Sequence, residues 1–296
     1  MGGVLQNPSY RTVKQIKKGW SSDQKYFVRT IDDKALLIRQ TELSAYDQKV
    51  SEFNMLKTLT SMGFHTNQPI ELIPCKEEET LYMIMSWCHG QDAEIILPTL
   101  TNEQHYQLGI KAGQMLRTIH DVNVPAKHQD WQAFYLKKTE YKIKKYLRCD
   151  ESFDGDTLII NYLQQHQELL NDRPQCFHHG DYHLGNMILT ENNDLAIIDF
   201  NRHDVGDPWE EFNRLSFSAK ISPAFATGQI DGYFAGTPPK LFFQTLAFYF
   251  CSNIIGSLPW AIPYGTQEVA FMKRQAADFL QWFEAGTLPD WYLSKS

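Results

Sequence analysis

The chain has 296 residues, 43% of them apolar and 21% charged, and a formal net charge of −7. That length holds one large domain or two ordinary ones, and the composition argues for a packed protein rather than a disordered one. An acidic chain is a poor partner for duplex nucleic acid, so none is expected, and it suits a cationic small molecule better.

The N-terminal "MGGVLQNPSY" lacks the basic-then-apolar order of a signal peptide, and Gln6 stands where a myristoylation motif wants Ser or Thr. No uninterrupted apolar run reaches the roughly 18 residues of a membrane span, so no membrane partner is expected. Five scattered cysteines (Cys75, Cys88, Cys149, Cys176 and Cys251) form no CxxC pair. A reducing, cytoplasmic setting follows, with neither a zinc knuckle nor a disulfide framework.

In chain order, "KKGWSSDQ" is a small, polar loop leading into "YFVRTIDDKALLIRQ", which reads as two strands, 26–30 and 35–39, around an Asp32-Asp33 turn. Residues 43–60 have helical periodicity. On a wheel turning about 100° per residue from Val50, Leu59 falls near 180° and Leu56 near 240°, and Glu52 falls between them near 200°. A carboxylate inside an apolar stripe needs a cation, and Arg39 is the obvious one; the alternative is a partly exposed Glu on an imperfect helix. "IELIPC" and "TLYMIMSW" read as two further strands separated by an acidic turn at Glu77–Glu79. The pattern then becomes helical: Leu108, Ala112, Met115, Leu116 and Ile119 share one face, and helices follow near 131–148 and 156–170. From 207 onward helices dominate, broken at "GTPP" and "SLPWAIPYG". The fold class is α+β and bilobal, with a sheet-rich lobe over 1–88, a helical lobe over 89–296, and a hinge near Ser86 to Gly90.

Residues 175–200, "QCFHHGDYHLGNMILTENNDLAIIDF", carry the chemistry. A charge at the end of a buried strand is costly without a cation. Asn186 and Asp199 supply the hard oxygen donors that magnesium takes alongside substrate phosphates, which leaves Asp181 to accept a proton from a hydroxyl. The bland alternative is Asx capping of turns. His178, His179 and His183 lack HExxH spacing and do not read as a metal site; His179 instead reads as a residue that fixes the loop through hydrogen bonds. Tyr249, Trp260 and Tyr264 read either as core or as the lining of a ligand site.

The run "HGDYHLGN…IIDF", with "LLIR" upstream and "GDPWEEFNR" downstream, resembles the aminoglycoside phosphotransferase superfamily, small-molecule kinases with a protein-kinase-like fold. The resemblance spans nearly all of residues 10–285. It implies an ATP-dependent (or GTP-dependent), magnesium-using kinase acting on a hydroxyl of a small molecule. The acceptor is an aminoglycoside or another antibiotic such as a macrolide, or a metabolite such as choline, an amino sugar or an amino alcohol. It implies Asp181 as catalytic base and Asn186 and Asp199 as magnesium ligands. Arg39, oriented by Glu52, would bind phosphate in place of the usual Lys. Gly19, Ser21 and Ser22 would lie over the phosphates, and Ser86 to Cys88 would take the adenine edge. Asp207 would brace the catalytic loop, and Glu210 and Glu211, helped by Asp278 or Glu284, would favour a cationic acceptor. Asn201, where protein kinases have Gly, and the missing APE segment argue against a protein kinase. A non-catalytic scaffold is the remaining competitor.

Overall fold

The computed structural model describes residues 3–17, 23–123, 130–283, 289 and 291–292. Its first strands are β1 (Tyr10–Ile16), β2 (Gln24–Thr30) and β3 (Ala35–Glu42), followed by helix α1 (Tyr46–Ser61), then β4 (Pro69–Cys75), β5 (Thr80–Ser86) and the short β6 (Gln91–Asp92). Helices α2 (Ala93–Ile96), α3 (Asn102–His120), α4 (Trp131–Tyr146) and α5 (Asp156–Gln165) come next. Three short strands follow, β7 (Cys176–His178), β8 (Met187–Leu189) and β9 (Leu195–Ile197), then β10 (Asp204–Gly206). The chain closes with α6 (Leu215–Ile221), α7 (Pro223–Phe234), α8 (Lys240–Ala261) and α9 (Thr266–Trp282).

These elements form two compact units, a sheet-rich one of residues 1–93 with 186–202, and a larger helical one of 94–185 with 203–296. The hairpin carrying Asn186 and Asp199 thus belongs with the N-terminal sheet.

In the first unit, an antiparallel sheet runs in the order β1-β2-β3-β5-β4. The β2–β3 hairpin turns at Asp33, whose φ of 66° is left-handed, a conformation that Asp tolerates better than most residues. Its register sets Lys25 opposite Arg39. Val28, Ile38 and Tyr82 are fully buried in the core of this sheet. Helix α1 buries Lys49, Glu52, Phe53, Leu56 and Leu59. A second sheet, β6-β8-β9, pairs Met187 with Ile197, so Asn186 and Ile198 meet at its end, where Ile198 N donates to Asn186 O at 3.0 Å.

In the second unit, α3 starts on a capping box, with Thr101 and Gln104 satisfying each other's backbone N–H groups. Helices α3 and α7 pack backbone to backbone through Gly109, Gly113, Gly228 and Gly232. A Cβ at any of the four would come 2.2 Å from a carbonyl oxygen of the other helix, so only glycine permits the approach. Tyr182, next to Asp181, donates to Ala112 O of α3 at 2.6 Å, which ties the loop holding Asp181 to this helix pair.

Helix α8 differs from the sequence reading. With the turn that follows, Lys240–Tyr264 is long and apolar enough by length and composition to cross a membrane, and 61% of its most apolar window is buried inside the protein, as in a core helix. Scattered Thr, Gln, Ser and Asn residues hide this run from a search for uninterrupted apolar stretches. The expected break at "SLPWAIPYG" comes late: Pro259 lies in the last turn of α8 and removes one helical N–H donor there, and the helix ends two residues later at Ala261.

Candidate active site

In the first unit, Arg39 and Glu52 are buried at 3% and 1% exposure, and Arg39 Nη1 donates to Glu52 Oε1 at 2.5 Å. Two residues that the sequence reading missed complete the cluster. Asp23 accepts from Arg39 Nε at 2.9 Å, and also from Nη2. Lys49 Nζ donates to Asp23 Oδ2 at 2.7 Å and to Glu52 Oε2 at 3.0 Å. Two cations thus face two anions, the arrangement in which burial of charge is tolerated. Burial raises the Asp23 pKa, but Arg39 and Lys49 outweigh it and hold the carboxyl below its ordinary value. Burial likewise works against the Arg39 charge, and Glu52, Asp199 and Asp23 overcome it and raise the guanidinium pKa. Three of the five guanidinium N–H donors, one each on Nε, Nη1 and Nη2, are taken by these acids.

Asp199 follows β9 with a left-handed φ of 68°, a sparsely populated conformation for a non-glycine residue and one that clusters at functional sites. Its Oδ2 accepts from Lys25 Nζ at 2.8 Å, and Arg39 Nη1 lies 3.8 Å from its Oδ1. Lys25 was also missed. The hairpin register could have found it, because a turn centred on Asp32 places Lys25 opposite Arg39. At the end of β5, Ser86 N donates to Gln68 O and Ser86 O accepts from Asn67 Nδ2 at 3.0 Å. Trp87 N donates to Ala35 O. The β-sheet thus uses the backbone up to Trp87, and Cys88 beyond it is half-buried. Gly19, Ser21 and Ser22 lie outside the described residues, as does Glu284.

In the second unit, Asp181 Oδ1 has Arg214 Nε at 3.3 Å and His183 Nε2 at 3.6 Å, so the candidate base is flanked by a guanidinium and an imidazole rather than left alone. Asp181 N donates to His179 Nδ1 at 3.2 Å, the loop-fixing part expected of that histidine. Gly180 takes a φ of 83° that bends the loop.

The brace of this loop is not Asp207. The Asp207 carboxylate accepts from Arg173 at 2.7 and 2.9 Å, from Tyr249 OH at 2.5 Å and from Trp209 N at 3.0 Å. Instead, Glu211 accepts from His179 N at 2.6 Å and Gly180 N at 2.9 Å. Burial raises the Glu211 pKa, while the nearby His178 and His179 oppose the shift. Neither Glu211 nor Glu210 is left for an acceptor. Glu210 is buried, takes the Tyr135 hydroxyl at 3.3 Å and lies 3.5 Å from Lys138 Nζ. Asp278 pairs with Lys220. Of the grounds for a cationic acceptor, Glu210, Glu211 and Asp278 are thus engaged elsewhere, Glu284 lies outside the described residues, and the net charge of −7 stands. Of the aromatic residues, Tyr249 is fully buried core, whereas Tyr264 is exposed and its ring lies 4.7 Å from that of Trp260, tilted by 39°.

The sequence profile of the phosphotransferase enzyme family (APH) matches residues 12–243. The chain belongs to that family, and at this level the match supports phosphoryl transfer to a small-molecule hydroxyl. No curated protein matches the sequence directly. Among solved structures, an APH(2'') enzyme in its GDP and kanamycin complex is 14% identical, with a TM-score of 0.72, over 94% of this chain and 96% of that one. The amicoumacin kinase hAmiN, in complex with AMP-PNP, Ca2+ and Ami, is 14% identical with a TM-score of 0.66, over 95% and 91%. A thermostable aminoglycoside phosphotransferase mutant with ADP and hygromycin B is 14% identical with a TM-score of 0.68, over 94% and 96%. At such identity these likenesses show the bilobal fold.

Proposed function

We propose that this protein is an ATP-dependent kinase that transfers the γ-phosphoryl group to a hydroxyl of a small molecule in the cytoplasm. The observation that carries this reading is the braced loop holding Asp181, five residues before Asn186 on the hairpin that also presents Asp199. Unlike the exposed Asp33 of the β2–β3 turn, Asp199 holds left-handed backbone with a largely buried carboxylate beside Lys25 and Arg39, a combination that clusters at functional sites.

The donor set suits magnesium. Asp199 and Asn186 offer hard oxygens from one end of the β8–β9 hairpin, and magnesium takes one or two such ligands plus phosphate oxygens. Bound there, the ion would neutralise charge on the transferring phosphates. Arg39 keeps two N–H donors for phosphate, and its pose is fixed by Glu52 and Asp23. Lys25 adds a second cation beside Asp199. At the hinge, the Cys88 backbone takes the adenine edge, because the Ser86 and Trp87 N–H groups are already used. Asp181 orients the acceptor hydroxyl and takes its proton. Arg214 and His183 hold that carboxylate in position.

The family resemblance keeps aminoglycosides, macrolides and hydroxylated metabolites as candidate acceptors. A screen of ATP consumption by purified protein across aminoglycosides, macrolides, choline, amino sugars and amino alcohols tests the reading. A phosphorylated product lost in Asp181→Asn is the expected result. Magnesium-dependent nucleotide binding without phosphoryl transfer to any acceptor would favour the scaffold. Repeating the best reaction at two salt concentrations tests charge: a cationic acceptor raises KM with salt as its attraction is screened.

A further inference from the structure

The stem of the catalytic loop carries a cluster that phosphoryl transfer does not use. Strand β7 places Cys176 and His178 at alternate positions, so both side chains stand on one face. Its partner β10 sets Gly206 opposite Cys176 and Asp204 opposite His178. Gly206 adds no side chain to that face, and a Cβ there would come 2.5 and 2.6 Å from the Trp131 ring and 2.7 Å from His178 Cε1. The glycine therefore leaves the room that the indole and the imidazole share. Helix α3 contributes His120, and one donor atom from each of His120, Cys176 and His178 lies within 4.8 Å of the other two.

Hydrogen bonding identifies the inward ring atoms. His178 Nε2 is 2.9 Å from Asp207 O; a carbonyl only accepts, so Nε2 carries the proton. His178 Nδ1 is buried without a hydrogen-bond partner, and Asp204 Oδ1 lies 3.2 Å away. His120 has the converse arrangement. Its Nδ1 meets Tyr233 OH at 2.8 Å, and its Nε2 is buried without a hydrogen-bond partner. The two imidazoles are 7% and 0% exposed. Each is anchored through one nitrogen and presents the other unbonded, which is how metal-ligating histidines are oriented by their surroundings. A charged His178 paired with Asp204 would explain one nitrogen, but His120 Nε2, with Glu211 Oε2 beyond hydrogen-bond distance at 3.8 Å, would still lack a hydrogen-bond partner.

We infer that His120 Nε2, His178 Nδ1 and Cys176 Sγ form a binding site for a zinc ion, with Asp204 or water as the fourth donor. Two imidazoles and a thiolate select zinc over magnesium, which sets this site apart from the all-oxygen donors at Asn186 and Asp199. A tetrahedral ion with bonds of about 2.0–2.3 Å spaces its donors by roughly 3.3–3.8 Å, so donors now within 4.8 Å draw in by up to about 1.5 Å. Cys176 is half-buried, which gives the ion a way in. On binding, zinc replaces the thiol proton, which leaves to solvent. His178 adjoins His179, whose N–H is held by Glu211, so the ion fastens the stem of the catalytic loop to α3. Its role is structural.

The test begins with metal-free full-length protein titrated with zinc against a chromogenic chelator. One equivalent should bind with a Kd at or below about 1 μM. Cobalt in place of zinc should give tetrahedral visible bands and a thiolate charge-transfer band in the near ultraviolet. Cys176→Ser and His178→Gln should each weaken zinc binding by at least about tenfold, while Cys149→Ser should leave it unchanged. Zinc should raise the Tm of the parent and not that of the two ligand variants. Less than one equivalent bound, a cobalt spectrum without the thiolate band, or undiminished zinc binding by Cys176→Ser would overturn the assignment. If a ligand variant does not fold, the stoichiometry and cobalt spectrum of the parent decide the question.

Discussion

Glu52 in the sheet-rich unit and Glu211 in the helical unit are equally buried, at 1% and 2% exposure, yet they are held by different partners. Glu52 faces the side-chain cations Arg39 and Lys49. Glu211 faces the backbone N–H groups of His179 and Gly180. The first arrangement fixes charges that can be aimed at a phosphate. The second fixes the shape of a loop, so that the charge it presents, Asp181, stands in a set place. A buried acid of the first kind tunes a cation, and one of the second kind positions a neighbour.

The sharpest way to break this comparison is to separate the loop's charge from its brace. Asp181→Asn keeps the brace and removes the base, so turnover should fall about 10²–10⁴-fold with the Tm nearly unchanged. Steady-state kinetics beside a thermal melt reads both. A variant with near-parental turnover would remove Asp181 from the chemistry.

Glu211→Ala should act in the opposite order. Two buried N–H groups lose their acceptor, so stability should fall by about 3 kcal/mol, and turnover should fall with it as the loop loosens. Glu211→Gln keeps one carbonyl acceptor and should recover part of each. Urea unfolding of both variants gives the measurement. Equal stability of Ala and Gln would mean that the two backbone contacts contribute nothing.

In the sheet-rich unit the coupling should be between side chains. A double-mutant cycle of Arg39→Met and Glu52→Gln, read on nucleotide affinity, should show an interaction of about 0.5–3 kcal/mol. Strict additivity would mean that Glu52 does not orient Arg39.

How far each site was legible follows from the same contrast. Glu52 stands out because a carboxylate in an apolar helical stripe breaks the pattern, whereas Asp181, Asn186 and Asp199 stand out only through the family resemblance of "HGDYHLGN…IIDF", since their spacing alone also fits Asx capping. Lys49 is buried on the same helix, but a Lys three residues before a Glu reads as an ordinary surface pair. Asp23 follows a polar loop whose path the sequence does not reveal. Glu211 was misread because its partners are backbone groups, which carry no residue identity. Acids in a first helical turn are favoured for local reasons, and Asp before Pro looked like the stronger candidate. The Glu94–Gly185 and His203–Ser296 segments form one unit although the sequence is continuous through 186–202, and no local pattern marks that division.

The smallest expected effect is the most diagnostic, because the two kinds of buried acid should respond to pH with opposite signs. Burial raises the Glu211 pKa above its ordinary 4.5. The folded state then favours the neutral acid, so its contribution to stability is full below about pH 4.5 and is lost as pH rises through the folded value. For Asp23 burial also raises the pKa, but the Arg39 and Lys49 charges prevail and the net position is below 3.8. Its contribution is full above about pH 3.8 and is lost as pH falls through the folded value. The stability difference between parent and Glu211→Gln should therefore shrink as pH rises above about 4.5. The difference between parent and Asp23→Asn should shrink as pH falls below about 3.8. Urea midpoints of the three proteins between about pH 3 and pH 8, with nucleotide absent, supply the profiles. If the two difference curves ran parallel, the distinction between an acid held by cations and an acid held by backbone would have no energetic content.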